Sequence, residues 1–460
     1  MVPAGNILSI LATYLFLPLG LYLFVRYPPQ RAVILVFIIG FLFLPVTSVK
    51  FPLIPPYGKI TAASYVVLIA TAIYDSGRFS TFKPSWIDIP MLLWCTVSPF
   101  MSSMTNGLGP QDAISMMLYQ LMAWGAPYFI GRLYLGSLEG LKKLAIAIFM
   151  GGLIYIPFCF YESRTFSSLH ILVYGMDTGR DASQSIRYGG YRPQVFLEHG
   201  LMLGVWLMAG CVIGLALWRT GTVKKLWNRP IGVLFGILLF TFVAARSTGA
   251  YVYFLAGAAA LYMAWKFRTK LLMWGLVVGI SAFLYTNVMG TFPNHEIIAM
   301  LSSVFNPDRV ASLAFRFDNE ELLGAKARQQ ILFGWGGFGR NRIFNEMGED
   351  VSVTDSLWII AFGINGAFGL FTMTAAILLP STAFLARYPA KMWKNPNFAP
   401  AAALAVCVIL YMLDSLMNAM INPIFMLASG GLTGVVMQPK TVTAAQMKKP
   451  VPALKPSMQA

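Results

Sequence analysis

The run KLLMWGLVVGISAFLYTNV at 270–288 carries no charge after its opening Lys270, and the stretch that follows it, 289–354, is long and polar. Nineteen residues in a helix reach about 28 Å, close to the ~30 Å hydrocarbon thickness of a bilayer. The polar stretch carries Arg309, Arg316, Lys326, Arg328, Arg340 and Arg342, then the turn Phe333-Gly334-Trp335-Gly336-Gly337-Phe338-Gly339, and it ends at Asp355-Ser356, where the next apolar run opens. A membrane chain that gathers cations in one loop has an anion to hold. This loop is where the chemistry is expected.

Working outward, the same apolar signature recurs. Runs of spanning length lie at 7–25, 32–49, 58–75, 87–103, 113–135, 142–161, 194–218, 231–246, 249–266, 270–288, 355–385, 398–419 and 421–437. With 57% hydrophobic and 11% charged residues and a mean hydropathy of +0.66, the 460 residues lack the polar surface a soluble globular domain needs. The expectation is an all-α polytopic membrane protein of about 12–13 transmembrane helices. It divides into a transmembrane bundle at 1–161, an outer loop at 162–193, helices at 194–288 with a turn at Arg246, a long outer loop at 289–354, helices at 355–437 and a disordered tail at 438–460.

A net charge of +16 invites a nucleic-acid reading, but its distribution argues against one. If the N-terminus is outside, alternate connections contain Arg26/Arg31, Arg78/Lys83, Arg132/Lys142/Lys143, Arg219/Lys224/Lys225/Arg229, Lys266/Arg268/Lys270 and Arg387/Lys391/Lys394. These are cytoplasmic loops by the positive-inside rule. The opposite connections have no Lys or Arg at 103–112, and the long loop balances its six cations with eight carboxylates. The excess charge is therefore topogenic, no nucleic-acid partner is expected, and the tail from Lys440 to Lys455 is suited to anionic membrane lipids. Residues 7–25 lack the flanks of a cleaved signal. Cys95, Cys159, Cys211 and Cys407 have no paired spacing, and His170, His199 and His295 are dispersed. No metal or cofactor is expected.

The loop at 162–193 offers Arg164, Arg180, Arg187, Tyr188, Tyr191 and Arg192 among Gly and Ser, a binding-loop composition. In the long loop, Asn306-Pro307-Asp308 reads as an N-cap with Pro at the first helical position, starting an interfacial helix over about 307–330. Arg309 and Arg316 then share a face, with Glu320 one turn beyond Arg316. This stripe is either a phosphate-holding face or, for Arg316 and Glu320, a surface pair worth ~0.3–0.5 kcal/mol. Arg246 interrupts two apolar runs, and Arg192 precedes another at the same level. Guanidinium groups bind phosphate in planar, bidentate fashion, so Arg192, Arg246 and Arg316 are placed around a pyrophosphate; anchoring to lipid headgroups is the competing role. Glu198 and His199 are read as supporting. Asp355 is either a base or an N-cap. Asp414, with Asn418 and Asn422, is an intramembrane polar candidate, equally accounted for by helix-to-helix hydrogen bonding. The glycine turn has no preceding strand and no Gly-Lys-Ser/Thr ending, so it is no P-loop; a turn bringing backbone close to a ligand fits it better.

In this order, the residues resemble the O-antigen ligase and polysaccharide polymerase superfamily of bacterial membrane glycosyltransferases. The match rests on Tyr191-Arg192-Pro193, Ala245-Arg246-Ser247, Arg316 followed eighteen residues later by Gly334-Trp335-Gly336, and Asp355-Ser356 followed after nine residues by Gly366-Ala367-Phe368-Gly369. It covers roughly 190–435. The resemblance implies a GT-C-like fold and metal-independent, inverting transfer of a glycan from undecaprenyl pyrophosphate at the outer face of the bacterial inner membrane. Arginines would hold the leaving group, and an outer-face base, Asp355 or else Glu320, would activate the acceptor hydroxyl. Asp355 stands where the ligase signature has His, which favours a polymerase acting on lipid-linked repeat units and a growing glycan, with a chain-length regulator as partner. The alternatives are a ligase acting on a lipid A core or protein, and a small-anion transporter, whose cations would have to line a path through the bilayer.

Overall fold

The computed structural model describes residues 5–52, 54–178, 185–187, 189–303 and 307–448. Arg180, Tyr188 and the expected N-cap Asn306 lie outside the described residues. The protein is all-α and built for a membrane. Helices stand at each of the thirteen apolar runs. Among the described residues, Ile7–Arg26, Leu138–Thr165, Gly200–Arg219, Leu271–Met289 and Leu357–Arg387 are long and apolar enough to cross a bilayer; Pro29–Phe43, Ala62–Tyr74, Ile231–Ala244, Ala399–Asp414 and Pro423–Met437 are apolar but shorter. The run at 87–103 is split into Ile89–Cys95 and Val97–Thr105 by a non-helical Thr96, and that at 113–135 passes through a π turn at Leu121–Gly125. The run at 32–49 ends its helix at Phe43, because Ser48–Phe51 pairs with Ile54–Gly58 as a β-hairpin.

Small residues let backbones meet, as helix packing in lipid requires. A Cβ on Gly430 would lie 1.9 Å from the Tyr128 carbonyl oxygen, so Pro423–Met437 and Ala126–Leu135 touch main chain to main chain. Beside that contact the Tyr128 hydroxyl donates to Asp88 (2.8 Å), whose other charge partner is Arg132 (3.0 Å).

Connections collect at two ends of the bundle. At one end, Asn106 donates to the Gly334 carbonyl (2.8 Å), the Val46 amide donates to His170 (2.9 Å) and Arg246 donates to the Arg187 carbonyl (2.7 Å). At the other end, Thr222 donates to the Pro396 carbonyl (2.8 Å), and the Asn397 amide reaches the carbonyl of Met447 (3.2 Å). Met447 belongs to a helix, Lys440–Lys448, in the segment expected to be disordered; Thr, Ala and Gln at 441–446 tolerate a helix once packing stabilises it. Residues 449–460 lie outside the described set.

The polar loop is tied to the bundle through a break in Leu357–Arg387. Gly366 adopts φ 67°, ψ −170° inside that helix, a conformation open to glycine alone. The backbone groups this frees are taken up by the glycine-turn strand: Trp335 N–H donates to Gly363 O (2.9 Å), Gly336 N–H to Ile364 O (3.0 Å), Ala367 N–H to Ile331 O (2.7 Å) and Phe368 N–H to Leu332 O (3.2 Å). Ser102 also donates to the Ile364 carbonyl. The glycine turn, expected to approach a ligand, approaches a helix backbone instead, since a Cβ at Gly334 would lie 2.6 Å from Gly366 N. Replacing Gly366 by Ala, with its Cβ 2.3 Å from Leu332 O, should destabilise the fold by about 1–3 kcal/mol through backbone strain alone, and more through the clash. Thermal unfolding in detergent should show an earlier transition than for Gly337→Ala, where a Cβ meets nothing within 4 Å.

Candidate functional site

The helix Pro307–Arg328 follows the expected start and ends close to the expected end. Its apolar side, including Phe317 and Leu323, is buried. An aromatic stack seats it: Phe317 on Phe292 (5.7 Å), Phe292 on Phe283 (4.9 Å) and Phe283 on Trp358 (5.9 Å), each edge to face. This places the Arg316–Glu320 turn against the start of Leu357–Arg387 and the end of Ala399–Asp414.

Arg316 lies among three other candidates, Asp355, Asp414 and Glu320. Its Nη1 donates to the Met417 carbonyl (2.8 Å), and its Nε lies 3.8 Å from Asp355 Oδ2. Asp414 feels its charge and accepts from the Tyr253 hydroxyl and from the Asn418 amide (2.7 Å). Glu320, one turn along, is buried. Its Oε1 accepts from Ser356 (2.5 Å) and Trp358 (3.2 Å), while its Oε2 is buried without a hydrogen-bond partner. Burial pushes the Glu320 carboxyl up to about 7, against the opposing pull of Ser356, Trp358 and Arg316. Glu320 is therefore no surface partner of Arg316, and the weak i,i+4 pair considered from sequence gives way to a buried network.

Asp355 is not the helix cap. Ser356 holds the N-cap position without a side-chain cap bond, its hydroxyl being committed to Glu320, and the first helical amide, Leu357 N–H, donates to Ser415 O (3.0 Å). Asp355 is left half-exposed beside Arg316, both open to solvent on one side. The side chain of Arg309 lies outside the described residues.

Arg192 and Arg246 are held elsewhere, around the hairpin Ile186–Arg187/Gly190–Tyr191. Arg246 has φ 55°, which makes the turn between Ile231–Ala244 and Thr248–Lys266 tight, and its guanidinium is so close to Gly190 that a Cβ there would be 2.3 Å from Cζ. Arg192 is buried and lies across Gly200. Arg246 meets the Arg187 carbonyl and Arg192 meets Gly200, whereas Arg316 meets the Met417 carbonyl and Asp355, so the three arginines have separate partners. The loop after Arg192 is shaped by Glu162, which accepts from the amides of Leu169 (2.6 Å), Gln194 (2.8 Å) and Val195 (2.8 Å). His199 caps Gly200–Arg219, its Nδ1 accepting from Leu201 N–H (2.9 Å). That bond requires Nδ1 to be unprotonated, a structural role for a residue read as supporting.

Glu198 borders a cavity of about 440 Å³ together with Lys59 and Tyr119. Lys59 is buried and donates to the Leu44 carbonyl (2.6 Å). Lys59, Tyr253 and Trp358 were not singled out from sequence. For Lys59 a signal existed: a cation directly after Pro55-Pro56-Tyr57-Gly58 at the mouth of an apolar run. Among the described residues no group of three His, Cys, Asp or Glu could hold a metal ion. Neither protein-family models nor curated proteins match the chain.

The Glu320 carboxyl binds its proton more tightly folded than unfolded, so its contribution to stability is full below about pH 4.5 and is lost as pH rises through about 7. Relative to Glu320→Gln, the wild-type protein should lose on the order of 3 kcal/mol of stability between pH 4.5 and 7.5. Parallel pH–stability curves for the two proteins would contradict this.

Proposed function

We propose that the chain is a membrane glycosyltransferase of the polysaccharide-polymerase type, GT-C-like in architecture, acting at the periplasmic face of the bacterial inner membrane on undecaprenyl pyrophosphate-linked repeat units. The observation that carries the reading is the Arg316–Asp355–Glu320–Asp414 cluster, a partly open cation flanked by carboxylates on a helix at the foot of the long loop. Supporting it is an apolar groove of about 490 Å³ between Leu271–Met289 and Leu357–Arg387, lined by Leu284, Val288, Leu370 and Phe371. The groove runs up to Met289, where the loop begins, and its lining suits a lipid chain whose pyrophosphate would lie at the loop.

The donor's anomeric carbon–oxygen bond breaks, and the electron pair leaves with the lipid pyrophosphate. Arg316 stabilises the charge that develops there, and Arg192 and Arg246 are the two further cations proposed for the pyrophosphate. The acceptor hydroxyl oxygen forms the new bond from the opposite face, and its proton passes to Asp355, the carboxylate with solvent access. Glu320 and Asp414 position Arg316 and its neighbours. A transporter would need cations along a path through the bundle, whereas these lie at one end.

Arg316→Ala should lower chain elongation on lipid-linked substrate on the order of a hundredfold, the range for losing one transition-state donor, with Arg316→Lys recovering only part because the planar fork is lost. Arg246→Ala should shorten or abolish product as well. Normal product lengths from Arg316→Ala at normal protein levels would sink the assignment.

A further inference from the structure

The segment joining Ala399–Asp414 to Pro423–Met437 is a non-helical strap at 415–422. Tyr411 holds it from below, its hydroxyl donating to the Met420 carbonyl (2.8 Å) and accepting from the Asn422 amide (3.3 Å). Asn422 then caps the next helix through Ile424 N–H (3.0 Å). Arg316 binds the strap at the Met417 carbonyl. Two residues further on, Ala419, and then Ile421, line the cavity that contains Lys59, Glu198 and Tyr119. The strap is thus a shared wall: the proposed leaving-group cation binds it, and a polar cavity opens beside that contact.

The cavity's chemistry is specific. Lys59 supplies an amino group, Glu198 a carboxyl, and Thr47, Ser48 and Thr61 stand around the same space with the ring of Tyr119. The Glu198 carboxyl keeps the cavity from selecting an anion, and both side chains are too polar to receive a lipid tail. Donors and acceptors around an aromatic side chain suit a neutral polyhydroxylated ligand, and about 440 Å³ falls in the ~300–1,000 Å³ range of small-molecule sites. We propose that this cavity binds the terminal sugars of the acceptor glycan, with Glu198 and Lys59 as the specificity-determining contacts. The inference rests on the glycosyl-transfer reading above. Lys59 also fastens the hairpin Ser48–Phe51/Ile54–Gly58 to the bundle through the Leu44 carbonyl.

The test uses the full chain purified in detergent and saturation-transfer NMR with lactose, cellobiose, maltose and N,N′-diacetylchitobiose, with glycine and glycerophosphoethanolamine as zwitterionic probes. At least one saccharide should give transfer signals that fall tenfold or more in Glu198→Gln and in Ala419→Trp, which fills the cavity, but persist in Met347→Ala at an exposed loop position. Two cavity variants are used, and size-exclusion elution confirms that each is folded. No saccharide signal, signals unchanged in both folded variants, or binding of the zwitterions in place of saccharides would overturn the inference. Transfer activity of Arg316→Ala reports separately: its loss alongside absent saccharide binding keeps the function and removes the acceptor site, whereas its survival removes the function whatever the cavity binds.

Discussion

Backbone groups in an apolar bundle must find partners within the protein, and the break at Gly366 makes that constraint local and severe. A helix interrupted there exposes several amides and carbonyls to surroundings that cannot hydrate them. The segment 331–336 satisfies them with four main-chain hydrogen bonds, which converts a defect in one helix into the anchor of the long loop. The C-terminal part of that loop takes its position from this joint. Because Trp335 also donates to the Lys326 carbonyl (2.9 Å), the joint reaches the end of the helix that carries Arg316 and Glu320.

The second constraint is charge in a poorly hydrated place. Arg316 has a carbonyl, two nearby carboxylates and a half-exposed Asp355 around it, an arrangement that holds a guanidinium without cancelling it entirely. Glu320 sits in the opposite condition, with one oxygen satisfied twice and the other not at all. A carboxyl so placed keeps its proton at neutral pH more readily than an exposed one. Arg192 and Arg246 answer the same problem by folding onto glycines and a carbonyl, which is why they cluster around their own hairpin rather than around Arg316.

How much of this could be read in advance differs by residue. The helix over Pro307–Arg328 was legible because Pro307 at its start and Asp308 in its first turn are local signals. That Arg316 and Glu320 share a stripe followed from the helical repeat. That Glu320 is buried did not follow, because its burial depends on Ser356 and Trp358, which lie more than thirty residues away in sequence. Asp355 looked like a cap because Asp at the mouth of a helix usually is one; the Ser415 carbonyl, just past the end of another helix, took up the first amide instead. The glycine turn was recognised as a place of close approach, but what it approaches is Gly366, and only the packed bundle reveals that.

Composition and periodicity along the chain thus determined that this is a helical membrane protein, where its helices run and where its cations gather, since hydropathy and helix signals add up over neighbouring residues. Tertiary structure alone decided that Gly366 breaks its helix, that Lys59 and Glu198 share a cavity and that Arg316 meets Asp355. The physical reason is that burial, pairing and proton affinity are set by atoms close in space, and in a bundle of many helices those atoms come from segments far apart in the chain.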